Sequence, residues 1–339
     1  MRVLLCGAGQ VGSLHAGNLV RASGASEVLI ADVDAARAEA LALQAGARPA
    51  PADDPFSAQP DAVVVAAATP AHAGLVRACI ARGIPCFCEK PLSAEVDETV
   101  ELVREVEAAG LSVQVGFMRR FDPALRELRE LIAGGDLGRV HTLHVASHDH
   151  EPPPEEYVAR SGGMFRDQLI HDFDMIRWVT GAEVRSVYAA GAVRAIEFAE
   201  RYGDVDTCAL VLELDGGTLV LVAGTREDGR GEDVRIEAIG SKESAAAGMN
   251  ARTPLRLLDP IGVADGYTPY GSAFDRFAAG YAGEIDHFLE VAAGRAQSAC
   301  TPRDALNTLL VAEAAERSRL AGAPVSVRHA DELLGEQRV

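Results

Sequence analysis

Four groups of residues in this 339-residue chain have types and spacings that could do chemistry. The first is Gly7-Ala8-Gly9-Gln10-Val11-Gly12, a turn whose glycines would let a pyrophosphate meet bare backbone at a helix N-terminus. Asp32, twenty residues past Gly12, is placed to accept hydrogen bonds from ribose hydroxyls and to repel a 2′-phosphate. No Arg or Lys follows until Arg37, so NAD is expected over NADP. The second group is Cys88-Glu89-Lys90-Pro91, in which Glu89 can hold the Lys90 ammonium and Pro91 stiffens the turn. The third is Asp167, His171 and Asp174, expected on one face of a single helix that follows Gly162-Gly163. A carboxylate one turn from an imidazole fixes its tautomer and favours its charged form, as a general base near neutral pH requires. The fourth is His141, His144, His148 and His150. On a strand, His144, His148 and His150 would share a face; their spacing fits no common zinc pattern, so a polar wall facing a ligand is expected and no metal.

These groups need elements to position them. Through residue 118, short apolar runs (Val3–Cys6, Val28–Ala31, Ala62–Ala67, Cys86–Cys88, Ser112–Val115) alternate with helical patterns. One helix is expected to begin at Ser93 and end at Gly110, with Val96, Val100 and Val103 on one face. Strands alternating with helices predict a doubly wound parallel sheet, and ligands bind that fold beyond the carboxyl ends of its strands. Lys90 follows the fourth run, at such a place. From Arg119 the pattern changes to a helix over Pro123–Ala133 and strands Val140–Ser147, Ser186–Ala190, Thr207–Leu214, Thr218–Ala223 and Val234–Ile239. The Asp215-Gly216-Gly217 turn marks a hairpin, so the second domain is predicted to be α+β with an open, mostly antiparallel sheet. The boundaries read as 1–118 for the dinucleotide domain and 119–339 for the substrate and oligomerisation domain, closing on a helix over Pro302–Gly322 packed through Leu306, Leu309, Leu310 and Ala314.

Composition narrows the classes. A net charge of −18 opposes binding to nucleic acid or an anionic membrane surface. The longest apolar run is far too short to span a bilayer, the N-terminus reads as a first strand, and the six cysteines form no CxxC pair, so a cytoplasmic protein with reduced thiols is expected. Of the 32 basic residues only Lys90 and Lys242 are lysines, and Lys242 lies in a predicted turn. That scarcity singles out Lys90.

GAGQVG, AATPAH (67–72), CEKPLS (88–93), QVGFMRRFDP (114–123), SGGMFRDQLIHDFDMIRW (161–178) and FAAGYAGEIDHF (277–288) occur in the order and spacing of a known family. The chain resembles the glucose–fructose oxidoreductase/inositol dehydrogenase family, and within it the inositol 2-dehydrogenase branch. The resemblance implies an N-terminal Rossmann domain, assembly into homodimers or homotetramers through the second sheet, and oxidation of a secondary alcohol of a cyclitol or sugar by NAD. It implies that Lys90 binds the reacting hydroxyl, His171 removes its proton and Asp167 orients or relays with His171. It further implies cofactor contacts from Gly7, Gly9, Gln10, Val11, Gly12, Asp32, Thr69, Pro70, His72, Glu89 and Lys90, and a polyol pocket lined by Arg119, Asp149, Asp174 and Tyr281. The chain departs from the branch at His148-Asp149-His150, at Gln168, and over Arg226–Asp233, which lacks aromatic residues. The added His and Arg would suit an acidic or differently substituted sugar. An aldose dehydrogenase or reductase on the same scaffold stays open, as does a silent NAD-binding sensor, against which the intact Lys90, Asp167 and His171 count.

Overall fold

Buried Val, Leu and Ile runs can satisfy their backbone only in a covered sheet, and the first such sheet organises the N-terminal half. The computed structural model describes residues 1–51, 53–256 and 268–335. Two compact units form: Met1–Met118 with Ala279–Asn307 and Ala330–Val339, and Arg119–Ala278 with Thr308–His329.

In the first unit, β1 (Arg2–Cys6), β2 (Glu27–Ala31), β3 (Arg48–Pro49), β4 (Ala62–Val65), β5 (Cys86–Glu89) and β6 (Val113–Gly116) pair in parallel, in the order β3-β2-β1-β4-β5-β6. That is the doubly wound dinucleotide order, with its reversal between β1 and β4. α1 (Gln10–Arg21), α2 (Ala35–Ala45), α3 (His72–Ile80) and α4 (Val96–Ala109) make the crossovers. β3, a two-residue strand, is not foreseen from the sequence because two residues carry no period. Ser93 was expected to cap α4; that helix starts at Val96, and the Ser93 hydroxyl instead accepts from the Glu95 N–H and donates to Glu98.

In the second unit, after α5 (Pro123–Gly134), the sheet comprises β7 (Val140–His148), β8 (Val184–Ala192), β9 (Thr207–Leu214), β10 (Leu219–Thr225), β11 (Asp233–Gly240), β12 (Ser244–Ala247) and β13 (Val325–Ser326). Its order is β12-β11-β7-β10-β9-β8-β13, antiparallel except where β7 meets β10. The short helices α6 (Glu155–Val158) and α7 (Met164–Asp167) and the longer α8 (Ile170–Thr180) follow β7. α9 (Ala273–Arg276), α10 (Ala278–Ala292), α11 (Pro302–Ala321) and α12 (Ala330–Leu334) complete the chain.

The expectation that all of 119–339 forms one domain is corrected by α10. Its Ile285, Phe288 and Leu289 enter the core that Val3, Leu5, Ile30 and Phe87 form in the first unit. The Phe87 and Phe288 rings lie 5.8 Å apart, and Gln114 of β6 donates to the Glu284 carbonyl at 3.0 Å. Burial of those three apolar side chains outweighs sequence distance, at roughly 1.5–3 kcal/mol each.

Inside the second unit, the turn Met118–Phe121 that precedes α5 is tied to α8 by charge. Arg120 forms a two-pronged bond to Asp174 (2.8 and 2.6 Å), and both side chains are buried. The Thr308 hydroxyl adds a contact at 3.4 Å. Asp174 was expected in the polyol pocket; it is wholly buried and held by these partners, so it braces the helices. Arg120→Met should destabilise the protein by about 3–5 kcal/mol, because it strands a buried carboxylate. Arg120→Met/Asp174→Leu should recover most of that loss. Urea melts followed by circular dichroism test this, and a single variant as stable as wild type would refute it.

Candidate active site

The first unit carries the expected dinucleotide residues. After β1, the chain turns at Gly7 with φ +113°. A β-carbon on Gly7 would lie 2.4 Å from the Ala66 carbonyl oxygen, and one on Gly12 would lie 2.0 Å from that of Gly7. Only hydrogen fits at either place, which brings β1, β4 and α1 into close approach. A β-carbon on Gly9 would meet nothing within 4 Å, and no side chain caps α1. Gln10 is exposed and Val11 half-buried beside it. Bare main chain at an uncapped helix N-terminus is what a pyrophosphate needs, so these residues fit a dinucleotide. Asp32 follows β2 and accepts from the N–H groups of Ala8 (2.7 Å) and Asp34 (2.9 Å), which aims its carboxylate beside the turn.

Thr69 and Pro70 form a short turn before α3, half-buried and exposed respectively. His72, expected beside the ribose, is buried, and its ring bridges the carbonyls of Pro91 (2.7 Å) and Ala67 (2.9 Å). It therefore clamps two loops rather than facing a ligand. Lys90 follows β5, half-buried, and its peptide bond to Pro91 is cis. Glu89 Oε2 accepts from the Lys90 main-chain N–H at 3.3 Å, and Oε1 lies 2.6 Å from His15 Nε2. Tyr281 also belongs to this unit, where its buried ring meets the edge of His15; it is not among the pocket residues of the second unit.

The second unit gathers Arg119, Asp149, Asp167 and His171 near the ends of β7 and β10. Asp167 and His171 were expected on one continuous helix. Instead α7 ends at Asp167, α8 starts at Ile170, and the His171 N–H reaches back to the Gln168 carbonyl at 3.3 Å. Gln168 causes the break: its amide donates to the carbonyls of Ser147 (3.2 Å) and Thr225 (2.8 Å), pinning the turn to both strand ends. Asp167 accepts from the Tyr157 hydroxyl at 2.7 Å and lies 3.6 Å from the guanidinium of Arg226. Arg226 is 1% exposed and also meets Asp204 at 3.3 Å; Asp204 in turn accepts from the Met164 N–H at the start of α7.

Arg119 is buried and pairs with Asp172 at 2.5 Å and Ser147 at 3.3 Å. Burial pushes the Asp172 carboxyl up, against the pull of Arg119. Burial, with the charges of Glu232 and Asp167, pushes Asp149 up to about 8, against Arg226 and Arg119. In its protonated form the Asp149 carboxyl donates as well as accepts a hydrogen bond. Burial raises Glu232 too, while its Oε2 accepts from the His150 N–H at 3.1 Å.

The histidines do not form the expected wall. His144 lies on the open sheet face, 3.7 Å from Glu237. His148 contacts the Thr225 hydroxyl at 2.9 Å, and His150, past the strand, contacts the Asp228 carbonyl at 3.0 Å. Residue types and spacing did not point to Tyr157, Asp172, Arg226 or Glu232. Arg226 and Glu232 lie in the stretch Arg226–Asp233, set apart in the sequence only by its lack of aromatic residues.

A doubly wound sheet with this turn and acid, joined to an open-sheet unit carrying an Asp and His set, defines a dinucleotide-dependent oxidoreductase. Residues 1–117 match the oxidoreductase family with an NAD-binding Rossmann fold, and 125–246 match the GFO/IDH/MocA C-terminal domain. The chain belongs to this GFO/IDH/MocA oxidoreductase family. It is 37% identical over 330 residues to a myo-inositol dehydrogenase of Streptomyces leeuwenhoekii, covering 95% of this chain and 98% of that one. It is 33% identical over 339 residues to the scyllo-inositol 2-dehydrogenase (NAD(+)) of Bacillus subtilis, covering 96% of each. The crystal structure of a putative myo-inositol dehydrogenase from Sinorhizobium meliloti superposes with a TM-score of 0.88 at 34% identity, covering 97% of this chain and 100% of that one.

Asp32 sets a testable preference. Wild-type protein should bind NAD⁺ more tightly than NADP⁺, and Asp32→Ala should shrink the ratio by at least about tenfold, worth 1.4 kcal/mol. Fluorescence titration measures both constants, and tighter NADP⁺ binding by wild type would overturn the assignment.

Proposed function

We propose that this chain is an NAD-dependent dehydrogenase that oxidises a secondary hydroxyl of a neutral cyclitol, inositol-like, to the ketone. The observation that supports this reading most is the carboxyl-rich end of the second unit. Asp149, Asp167 and Glu232, close enough for their charges to act on Asp149, offer acceptors for hydroxyl groups, while Arg119 and Arg226 beside them face Asp172, Asp167 and Asp204. These acids offset the arginine charges, so the neutral polyol is favoured over the acidic one. The named relatives act on inositols.

In this mechanism His171 accepts the proton of the reacting hydroxyl, and the Lys90 ammonium steadies the oxygen as negative charge develops. Asp167, fixed by the Tyr157 hydroxyl, orients and stabilises the protonated imidazole. Gly9, the N-terminus of α1 and Asp32 would hold the dinucleotide. When bound, it supplies the hydride acceptor. Among the described residues no helix is long and apolar enough to cross a membrane. With all six cysteines free and buried, we place the enzyme in the cytoplasm.

We further propose a homo-oligomer that pairs the open face of the second sheet. Tyr188, Val211, Leu221, His144 and Glu237 form one cross-strand row over β8, β9, β10, β7 and β11. They line a groove of about 420 Å³. Tyr188, Val211 and Leu221 are 41–47% exposed, too much contiguous apolar surface to leave in water.

Two measurements follow. NADH absorbance with myo-inositol, scyllo-inositol and a set of aldoses should show turnover of an inositol, and His171→Ala should lower kcat by roughly 10²–10⁴. A loss of only a few-fold would remove His171 as the base, and no turnover of any polyol or aldose would favour the sensor. Leu221→Glu should reduce the particle mass in light scattering to that of a monomer, and an unchanged mass would sink the sheet-face assembly.

A further inference from the structure

Beside the Lys90 turn, three titratable side chains converge that the hydride step does not use. One polar atom each from His15 of α1, Glu89 of β5 and Glu284 of α10 lie within 4.8 Å of one another. His15 and Glu284 are wholly buried. Among the described residues, neither carboxyl oxygen of Glu284 has a hydrogen-bond partner. Glu89 lies over Gly116, its β6 register partner, where a β-carbon would come within 3.0 Å of Glu89 Oε2. That missing side chain lets Glu89 turn toward the cluster while still holding the Lys90 N–H.

Two ionised carboxylates and a neutral imidazole would put two negative charges in a dry site, which is prohibitively costly. A metal ion is disfavoured by the spacing. His15 Nε2 and Glu89 Oε1 stand 2.6 Å apart, a hydrogen bond, whereas two tetrahedral zinc ligands sit roughly 3.3 Å apart. A proton is the remaining counter-charge. We propose that Glu284 is a neutral carboxylic acid that shares its proton with Glu89, so that His15, Glu89 and Glu284 form a buried brace positioning the Lys90 main chain. The 4.8 Å span is closed by one ordered water or a small turn of either carboxyl. With Glu284 neutral, the His15–Glu89 pair carries no net charge once the imidazole is protonated. Burial, and then the Glu89 charge, push the Glu284 carboxyl well up, in the same direction.

The groups facing Glu284 are Glu89 on β5, with Lys90 and the buried Cys88 thiol beside it, and His15 on α1. Its own helix adds Tyr281 and His287. From β6, uncharged Gln114 donates to the Glu284 carbonyl and contacts His287 at 2.8 Å. Among the described residues, Glu89 is the acidic group whose charge acts on the Glu284 carboxyl.

The link to Lys90 rests on the function proposed above, but two arms of the test do not. In full-length protein, the infrared difference between wild type and Glu284→Gln should contain the carbonyl stretch of a protonated carboxyl at neutral pH, fading on the alkaline side. The folded state keeps a proton that the unfolded chain has released above the ordinary carboxylate pKa. Wild-type stability should therefore fall as pH rises from that value toward the raised one, and Glu284→Gln should flatten the fall, its Tm advantage widening with pH. In turnover, Glu284→Gln should keep the neutral-pH kcat but lose the alkaline decline, whereas Glu284→Met, folded but unable to share a proton, should lose about tenfold. Matching Gln and Met activities with no infrared band would reduce Glu284 to packing. One equivalent of metal retained by wild type and lost in His15→Ala would make the cluster a cation site; either result overturns the proposal. The infrared and melting arms decide the protonation of Glu284 even if no polyol is turned over.

Discussion

A buried carboxylate must be met by a fixed cation or by converging hydrogen-bond donors, or must hold a proton, because an unpaired charge out of water costs several kcal/mol. The second unit meets this constraint mainly with arginine. Arg119 answers Asp172, Arg120 answers Asp174, and Arg226 stands between Asp167 and Asp204. Each guanidinium stays charged at any accessible pH and offers a planar fork, so it fixes geometry as well as charge. Asp206 is met instead by the N–H groups of Arg194, Ala195 and Ile196, which hold its carboxyl down, and other buried acids keep their protons to higher pH. Asp149 does so up to about 8 in the second unit, and burial pushes Glu284 the same way in the first.

Much of this frame was legible in the sequence because it rests on period. Five apolar runs foretold five of the six parallel strands, and the change of pattern at Arg119 foretold the antiparallel sheet. The glycine turn was legible because it is one contiguous motif between a strand and a helix: Gly12 packs on Gly7 within it, although Gly7 itself packs on Ala66 just past β4. What escaped was decided by distant partners. The helix through Asp167 and His171 breaks because Gln168 spends its amide on Ser147 and Thr225, 21 and 57 residues away. Spacing cannot report that competition.

The same limit explains the residues whose expected roles changed. His72 and Asp174 have the right types and positions for a ligand site, yet their polar atoms are taken by Pro91, Ala67 and Arg120. A polar side chain serves a ligand only if the protein leaves some of its hydrogen-bonding capacity unspent, and that depends on packing. α10 belongs with the first unit for a related reason. Its amphipathic pattern required an apolar partner but could not say which sheet would supply one.

The near absence of lysine follows from the same chemistry. Structural pairing in a dry interior favours a cation that never loses its proton, and arginine fills those places throughout the chain. In the proposed mechanism, the group that steadies the developing negative charge is a compact ammonium. The fold offers that position at the end of β5, where Glu89 holds the main chain while its other oxygen turns to His15. A guanidinium there would bring a wider, planar head with a fixed charge. Composition singled out Lys90 for the proposed mechanism, and Glu89 fixes the main chain that carries it.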